Sequence, residues 1–253
     1  MKLFIDVGNT RIKWYEQVPG SVLSLDEASN ALSHSGRFFQ SYQKAFAGLK
    51  VEPECVCVAN VAGLSARSEL ESFCRDMWGL EPWFAEVERK ALGITNGYHN
   101  LDELGVDRWL AVHGARQIGS GHVVVIDCGT AINVEVLTVD NNYLGGAILP
   151  GLNLALQALS VNADGISAFG MSGLDELGVG RTTKQCVQSG AVFACVGGVE
   201  KLVSNIKKRF INEPMRIIVT GGAAESLLPF VTFDSVNDAN LVLRGLIRLA
   251  QCD

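Results

Sequence analysis

Charge is scarce in this chain, and what there is runs acidic. Charged residues make up 19% of 253 positions, with 21 Lys and Arg against 27 Asp and Glu, a net charge of −6. A binder of phosphate backbones needs clustered Lys and Arg, so this balance argues against nucleic acid as a partner. The one basic knot, Lys207-Lys208-Arg209, closes an apolar helical pattern, where positive side chains complement the C-terminal end of the helix dipole. No stretch approaches the roughly 20 apolar residues of a membrane span, and Asp6 interrupts the first apolar run too early for a secretory signal. The seven cysteines are odd in number and scattered, and beside the lone Cys55-x-Cys57 there is no second pair and no nearby His to complete a zinc set. Cys55 and Cys57 alternate within an apolar run and read as buried, reduced thiols. The expected setting is therefore soluble and cytoplasmic, without a membrane. A GxxxxGK[ST] loop and a strand-borne GxGxxG are both missing, which removes the P-loop and Rossmann readings.

Hydrophobic residues are plentiful at 48%, enough for a full core in one large domain or two ordinary ones. Lys2-Leu3-Phe4-Ile5 reads as a strand closed by the Asp6-Val7-Gly8-Asn9-Thr10 turn, and Arg11 to Tyr15 resumes with alternation as a hairpin partner. The pattern recurs later in the chain. His122 to Ile126 is a β-branched strand, Asp127-Cys128-Gly129-Thr130 closes it, and Ala131 to Leu137 follows, with a third strand from Tyr143 to Leu149. A matching strand before and hairpin after each Asp-x-Gly turn points to an internal duplication. Helices are expected over Arg67–Trp78, Leu101–Ile118, Leu152–Leu159, Thr183–Phe210 and Ala239–Ala250, with further strands at Cys55–Ala59 and Arg216–Thr220. Strand-helix alternation makes the class α/β, divided at 1–118 and 119–253. The stretch from Pro19 to Ser35 has no clear pattern.

A tight turn straight after a strand points backbone N–H groups outward, and a glycine there lets a phosphate approach. Thr10 or Thr130 beside it can donate to a phosphate oxygen. An Asp at the strand end, Asp6 or Asp127, suits such a site when a cation lies between it and the phosphate. Lys13 in the first hairpin could reach back as a point charge, and Gly221-Gly222 adds a third glycine turn. On spacing alone, Asp107-Arg108 reads first as a solvated ion pair on a helix surface, and Tyr98 as an ordinary half-buried aromatic.

These motifs resemble those of the acetate-and-sugar-kinase/Hsp70/actin superfamily, whose duplicated RNase-H-like (actin-like ATPase) halves hold ATP in a nucleotide cleft between them. The finer resemblance is to type III pantothenate kinase. It rests on Asp6-x-Gly8-Asn9-Thr10-x-x-Lys13, Tyr98, Gly105-Val106-Asp107-Arg108, Asp127-x-Gly129-Thr130-Ala131, Gly145 to Gly151, Gly180-x-x-Thr183 and Thr220-Gly221-Gly222, in order across nearly the whole chain. The resemblance implies that Asp107 is the general base and that Arg108 holds substrate or stabilises developing charge. It places ATP against Asp6, Val7, Gly8, Asn9, Thr10, Arg11, Lys13, Gly129, Thr130, Gly221 and Gly222. Pantothenate falls against Tyr98, Gly105, Val106, Asp107, Arg108 and Thr183. Asp6 would carry Mg2+ and Asp127 a monovalent cation, K+ or NH4+. The implied assembly is a homodimer. Thr182 departs from the family pattern, where Asn is commoner, and register favours Thr183 for the substrate. A sugar or carboxylate kinase on the same fold, and a non-catalytic nucleotide-binding relative, are the rival readings.

Overall fold

The structure is a computed structural model describing residues 1–18, 30–167, 169–170 and 177–250. The patternless stretch 19–35 therefore lies in part outside the described residues. Two compact units emerge, one of Met1–Gly119, Leu137–Gly145 and Asp238–Asp253, the other of Ser120–Val136 and Gly146–Asn237.

In the first unit, β1 (Lys2–Val7) and β2 (Arg11–Gln17) form an antiparallel hairpin, and β3 (Asn30–Ser33) pairs with β2. After α1 (Phe38–Phe46) comes β4 (Cys55–Asn60), parallel to β1; after α2 (Leu64–Trp78) comes the short β5 (Trp83–Phe84), parallel to β4. The sheet order is β3-β2-β1-β4-β5. Side chains alternate across a strand, so Leu3, Ile5 and Val7 share one face. They pack under α1 and α2 in an aromatic-rich core with Trp14, Tyr42, Phe46 and Phe73. Full burial of one such side chain contributes about 1.5–3 kcal/mol. β6 (Lys90–Ala91) and β7 (Ile94–Asn96) form a small hairpin before α3 (Val106–Ile118). The expected helix from Leu101 to Ile118 is broken into a short 3-10 turn, Leu101–Glu103, and α3, because Gly105 adopts an extended backbone as the N-cap.

In the second unit, β8 (His122–Cys128), β9 (Ala131–Leu137) and β10 (Asn142–Pro150) are followed by α4 (Leu152–Asn162) and α5 (Thr183–Arg209). Leu137 of β9 and the first four residues of β10 belong to the first unit, where Asn142 and Tyr143 pair with β7. β11 (Met215–Thr220) lies parallel to β8, α6 (Ala224–Leu227) is a single turn, and β12 (Val236–Asn237) is parallel to β11. The order here is β12-β11-β8-β9-β10. Read from its hairpin outward, this is the same third-second-first-fourth-fifth order as in β1 to β5. The repeat expected from two Asp-x-Gly turns is thus a repeat of sheet topology. Val124, Ile126 and Cys128 share one face and bury against α4 and α5 with Leu152, Val192 and Val199. By length and composition α5 could cross a membrane, yet half of its most apolar window is buried.

The chain returns to the first unit as α7 (Leu241–Leu249), which crosses α3 at backbone distance. Glycines permit the crossing, since a Cβ on Gly245 would fall on the Leu110 carbonyl and one on Gly114 on the Leu241 carbonyl. α3 and α7 cover the second face of the β1 sheet, burying Phe4, Cys57, Leu110 and Leu246. Cys57 is buried, as expected; Cys74, Cys128 and Cys195 are buried free thiols, and Cys186 is free but exposed. Cys55 departs from the expectation, being disulfide-bonded.

Candidate active site

The first Asp-x-Gly loop is a hairpin turn. Its register pairs Asp6 with Lys13 and Val7 with Ile12, and the Gly8 N–H donates to the Arg11 carbonyl at 2.9 Å. Because β1 alternates, Asp6 shares the face of Phe4, the one packed by α3 and α7, while Val7 is fully buried on the other. Val7 therefore offers a ligand only its backbone. Asn9, Thr10 and Arg11 are exposed. The Lys13 ammonium donates to the Ala239 carbonyl at 2.9 Å, just ahead of α7.

The same face carries the N-terminus of α3. Val106 packs into the core with Leu110 and Leu246, which leaves the Asp107 and Arg108 side chains at the helix mouth. Asp107 Oδ1 accepts the Arg108 N–H at 2.8 Å, a carboxylate in the first turn of a helix whose dipole complements it. A Cβ on Gly105 would lie 2.6 Å from that Oδ1, so the glycine makes room for the carboxylate. Arg108 is 7% exposed, and its guanidinium sits 5.4 Å from the Tyr98 ring centroid. Such a cation–π contact is worth about 0.5–2 kcal/mol. Tyr98 stacks in turn on buried Tyr143, with ring centroids 6.0 Å apart and planes at 14°. Asp107, Arg108 and Tyr98, ten residues of chain apart at most, are thus one cluster within the first unit.

The Tyr98 loop is held from beneath. Asn96, 1% exposed, accepts the Tyr98 N–H at 3.0 Å and donates to the Glu88 carbonyl at 3.2 Å. Arg89 donates to the carbonyls of Asn96, Tyr98 and His99. The Gly97 N–H donates to the Tyr143 carbonyl at 2.8 Å. Sequence reasoning missed Arg89, Asn96 and Tyr143, because no local pattern distinguishes a residue that holds a loop from one that does not.

The second Asp-x-Gly loop stands at the end of β8, with Asp127 opposite the face of Ile126 and Cys128 that packs on α5. The Gly129 N–H donates to the Ala131 carbonyl at 3.0 Å, and the Gly151 N–H to the Thr130 carbonyl at 3.1 Å. The β8–β11 register sets Thr220 beside Asp127, and the Ala223 N–H caps the Cys128 carbonyl at 2.8 Å. Gly221 has φ +93°, and a Cβ there would strike Asp127 Oδ1 and the Cys128 carbonyl. The Gly221-Gly222 turn therefore closes directly over the second loop, and only glycine fits at Gly221. Cys128 is no nucleophile. Burial pushes its thiol up to about 12, with the charges of Asp127 and Cys195 adding to the effect. At the start of α5, Thr182 is the N-cap, its hydroxyl accepting the Gln185 N–H at 3.2 Å, while Gln185 Oε1 accepts the Arg181 N–H at 3.0 Å. The Thr182 hydroxyl is thus engaged as the helix cap, while Gln185 reaches back one residue beyond it to Arg181. Thr183 is exposed on the wall of a pocket of about 480 Å³, shared with Leu159, Gly180 and Cys186.

Residues 2–205 match the family model for type III pantothenate kinase. The chain belongs to this family. A type III pantothenate kinase from Nitrosococcus oceani is 30% identical over 99% of this chain and 94% of its own. Another, from a Janthinobacterium species, is 33% identical over 99% and 97%. Among solved structures, a ROK family glucokinase from Streptomyces griseus, in complex with glucose and AMPPNP, superposes with a TM-score of 0.52 over 99% of both chains at 12% identity. The ethanolamine utilization protein EutJ from Carboxydothermus hydrogenoformans gives 0.53 over 98% of this chain and 89% of its own, at 13% identity. At such identities the likeness shows the fold alone, an actin-like ATPase architecture with two related sheets. As a member of the type III pantothenate kinase family, the chain is an ATP-dependent kinase.

Phosphoryl transfer to an alcohol requires an aligned hydroxyl, a proton acceptor and positive charge near the transferring group. Asp107 places a carboxylate and Arg108 a fixed positive charge at one helix mouth. Among the described residues no group of three His, Cys, Asp or Glu side chains could hold a metal by itself. Mg2+ in such enzymes is bound by one or two carboxylates together with substrate phosphates, so single carboxylates at strand ends fit the ion.

Proposed function

We propose that this chain phosphorylates the primary alcohol of pantothenate with ATP, forming 4′-phosphopantothenate and ADP, the first step of coenzyme A synthesis. The observation that carries the reading is the Tyr98–Arg108–Asp107 cluster, which combines an aromatic wall, a fixed guanidinium and a carboxylate on the sheet face that also bears Asp6 and Lys13.

Asp107 accepts the hydroxyl proton as the alcohol oxygen bonds to the γ-phosphorus and the bond to the ADP oxygen breaks. Arg108, held in place by Tyr98, orients the substrate and offsets charge that develops during transfer. Tyr98, with the backbone at Gly105 and Val106, lines the pantothenate side, and Thr183 contributes its hydroxyl, since Thr182 is engaged as a helix cap. Asn9, Thr10 and Arg11, together with Thr130, present N–H and hydroxyl donors to phosphate oxygens, Gly8 and Gly129, whose N–H groups are engaged within their turns, let the phosphate approach, and Lys13 leaves the Ala239 carbonyl to join the donors. Gly221-Gly222 borders the adenosine. Asp6 would hold Mg2+, which would supply charge neutralisation for the triphosphate, and Asp127 would hold the monovalent cation, K+ or NH4+. In this reading the duplicated halves are residues 1–118 and 119–253, the enzyme is a cytoplasmic homodimer, and neither nucleic acid nor membrane is a partner.

A coupled ADP-release assay with pantothenate, a panel of sugars and short hydroxy acids, with and without K+, tests the reading. Turnover should be selective for pantothenate and depend on K+ or NH4+. Turnover of a sugar without turnover of pantothenate would overturn it.

A further inference from the structure

The first phosphate loop is tied down by a residue far from every motif, His34. Its Nε2 lies 2.8 Å from the Gly8 carbonyl, and its Nδ1 accepts the Gly36 N–H at 3.3 Å. These two bonds fit one arrangement, the tautomer with the proton on Nε2 donating to Gly8. The His34 backbone N–H also donates to the Thr10 carbonyl at 3.1 Å. The ring is kept in place by Phe38, with centroids 4.8 Å apart.

A peptide unit is planar, and in the trans form its C=O and the following N–H point in opposite directions. No peptide bond among the described residues is cis. Drawing the Gly8 carbonyl toward His34 therefore turns the Asn9 N–H away from it, to the exposed side of the turn. The neighbouring units are also held, the Val7–Gly8 unit by the Gly8 N–H on Arg11 and the Thr10–Arg11 unit by the Thr10 carbonyl on His34. The Gly8–Asn9 unit, which aims the Asn9 N–H outward, depends on the His34 imidazole. Successive outward N–H groups in a turn make an anion-binding concavity.

We infer that His34 is a positioning residue for the first phosphate loop, orienting the Asn9 N–H toward the ATP phosphates without touching the nucleotide. This rests on the proposed role of that loop, so the experiment carries a variant for each claim. Steady-state KM for ATP and for pantothenate, kcat and Tm are measured for the wild type, His34→Leu, His34→Gln and Asp6→Asn. His34→Leu should raise KM for ATP roughly three- to tenfold, the worth of one positioned hydrogen bond. Its KM for pantothenate and its Tm should stay near wild type. His34→Gln, whose amide can donate in place of Nε2, should recover most of the loss. Asp6→Asn should impair ATP use more strongly. An unchanged KM for ATP in His34→Leu alongside an impaired Asp6→Asn overturns the inference alone. Equal losses for both substrates with a lowered Tm, unrelieved in His34→Gln, reduce His34 to a structural role and overturn it too. Normal ATP kinetics in Asp6→Asn refutes the loop assignment itself.

Discussion

Acidification probes a group that touches no substrate, His113 on α3. The imidazole is fully buried, meets Trp109 edge-on at a centroid distance of 4.4 Å, and neither ring nitrogen has a hydrogen-bond partner among the described residues. Burial, aided by the positive charge of Arg248, pushes its pKa down from 6.5 to about 4. The unfolded chain therefore binds a proton at a pH where the folded chain does not. Stability from this group is complete above the unfolded value of 6.5, drains away as the pH falls, and is lost by about pH 4. With one pKa unit equal to 1.36 kcal/mol, the loss across the window is about 3 kcal/mol, or roughly 1.4 kcal/mol per pH unit in its middle. Urea denaturation at several pH values between about 7.5 and 4.5 reads it, and an m near 2–3 kcal/mol/M makes the effect roughly a 1 M shift in midpoint. Trp14, Trp78, Trp83 and Trp109 all lie in the first unit with His113, so tryptophan fluorescence follows the right transition. Carboxylates contribute their own acid sensitivity, and His113→Leu separates the two. That variant should lie within about 1.5 kcal/mol of the wild type at neutral pH and show a flatter dependence below pH 6.5. Parallel pH dependences for the two proteins would refute the reasoning.

Asp107→Asn should still bind ATP yet lose about 10²- to 10⁴-fold in kcat by coupled ADP release, the usual worth of a positioned general base. Thr182→Ala should cost about 1 kcal/mol of stability through the lost helix cap, read by thermal denaturation, with pantothenate KM little changed. Thr183→Ala should show the reverse, a raised pantothenate KM at near-normal stability. Arg89→Ala should raise KM for pantothenate about three- to thirtyfold while KM for ATP holds, since it frees the carbonyls of Asn96, Tyr98 and His99. Gly245→Ala should lower stability by about 1–3 kcal/mol, read by urea midpoint, because its methyl group must push α7 off the Leu110 carbonyl.

Several elements were legible along the chain because their causes are local. The period-two runs at Lys2–Val7 and His122–Cys128 are strands, and the long apolar pattern from Thr183 is one helix ending at Arg209. The boundary that pattern reading missed is Gly105, where the expected single helix divides. An isolated glycine within a helical pattern is tolerated often enough that the break is not evident from periodicity. Between Thr182 and Thr183, register in the sequence favours Thr183 for the substrate. The hydrogen bond from the Gln185 N–H to the Thr182 hydroxyl makes Thr182 the helix cap, a role that no spacing pattern distinguishes from its neighbour's.

The sequence by itself determined the two Asp-x-Gly turns, the strands that carry them and the family to which their order belongs, since turn chemistry and alternation act over a few residues. Tertiary structure alone decided which distant groups serve those turns. His34 reaches Gly8 across 26 residues, Tyr143 comes under Tyr98 from a different part of the chain, and α7 returns to cross α3 through Gly114 and Gly245. The physical reason is that such contacts depend on how sheets and helices pack, and a side chain that holds a loop carries no local signature of doing so.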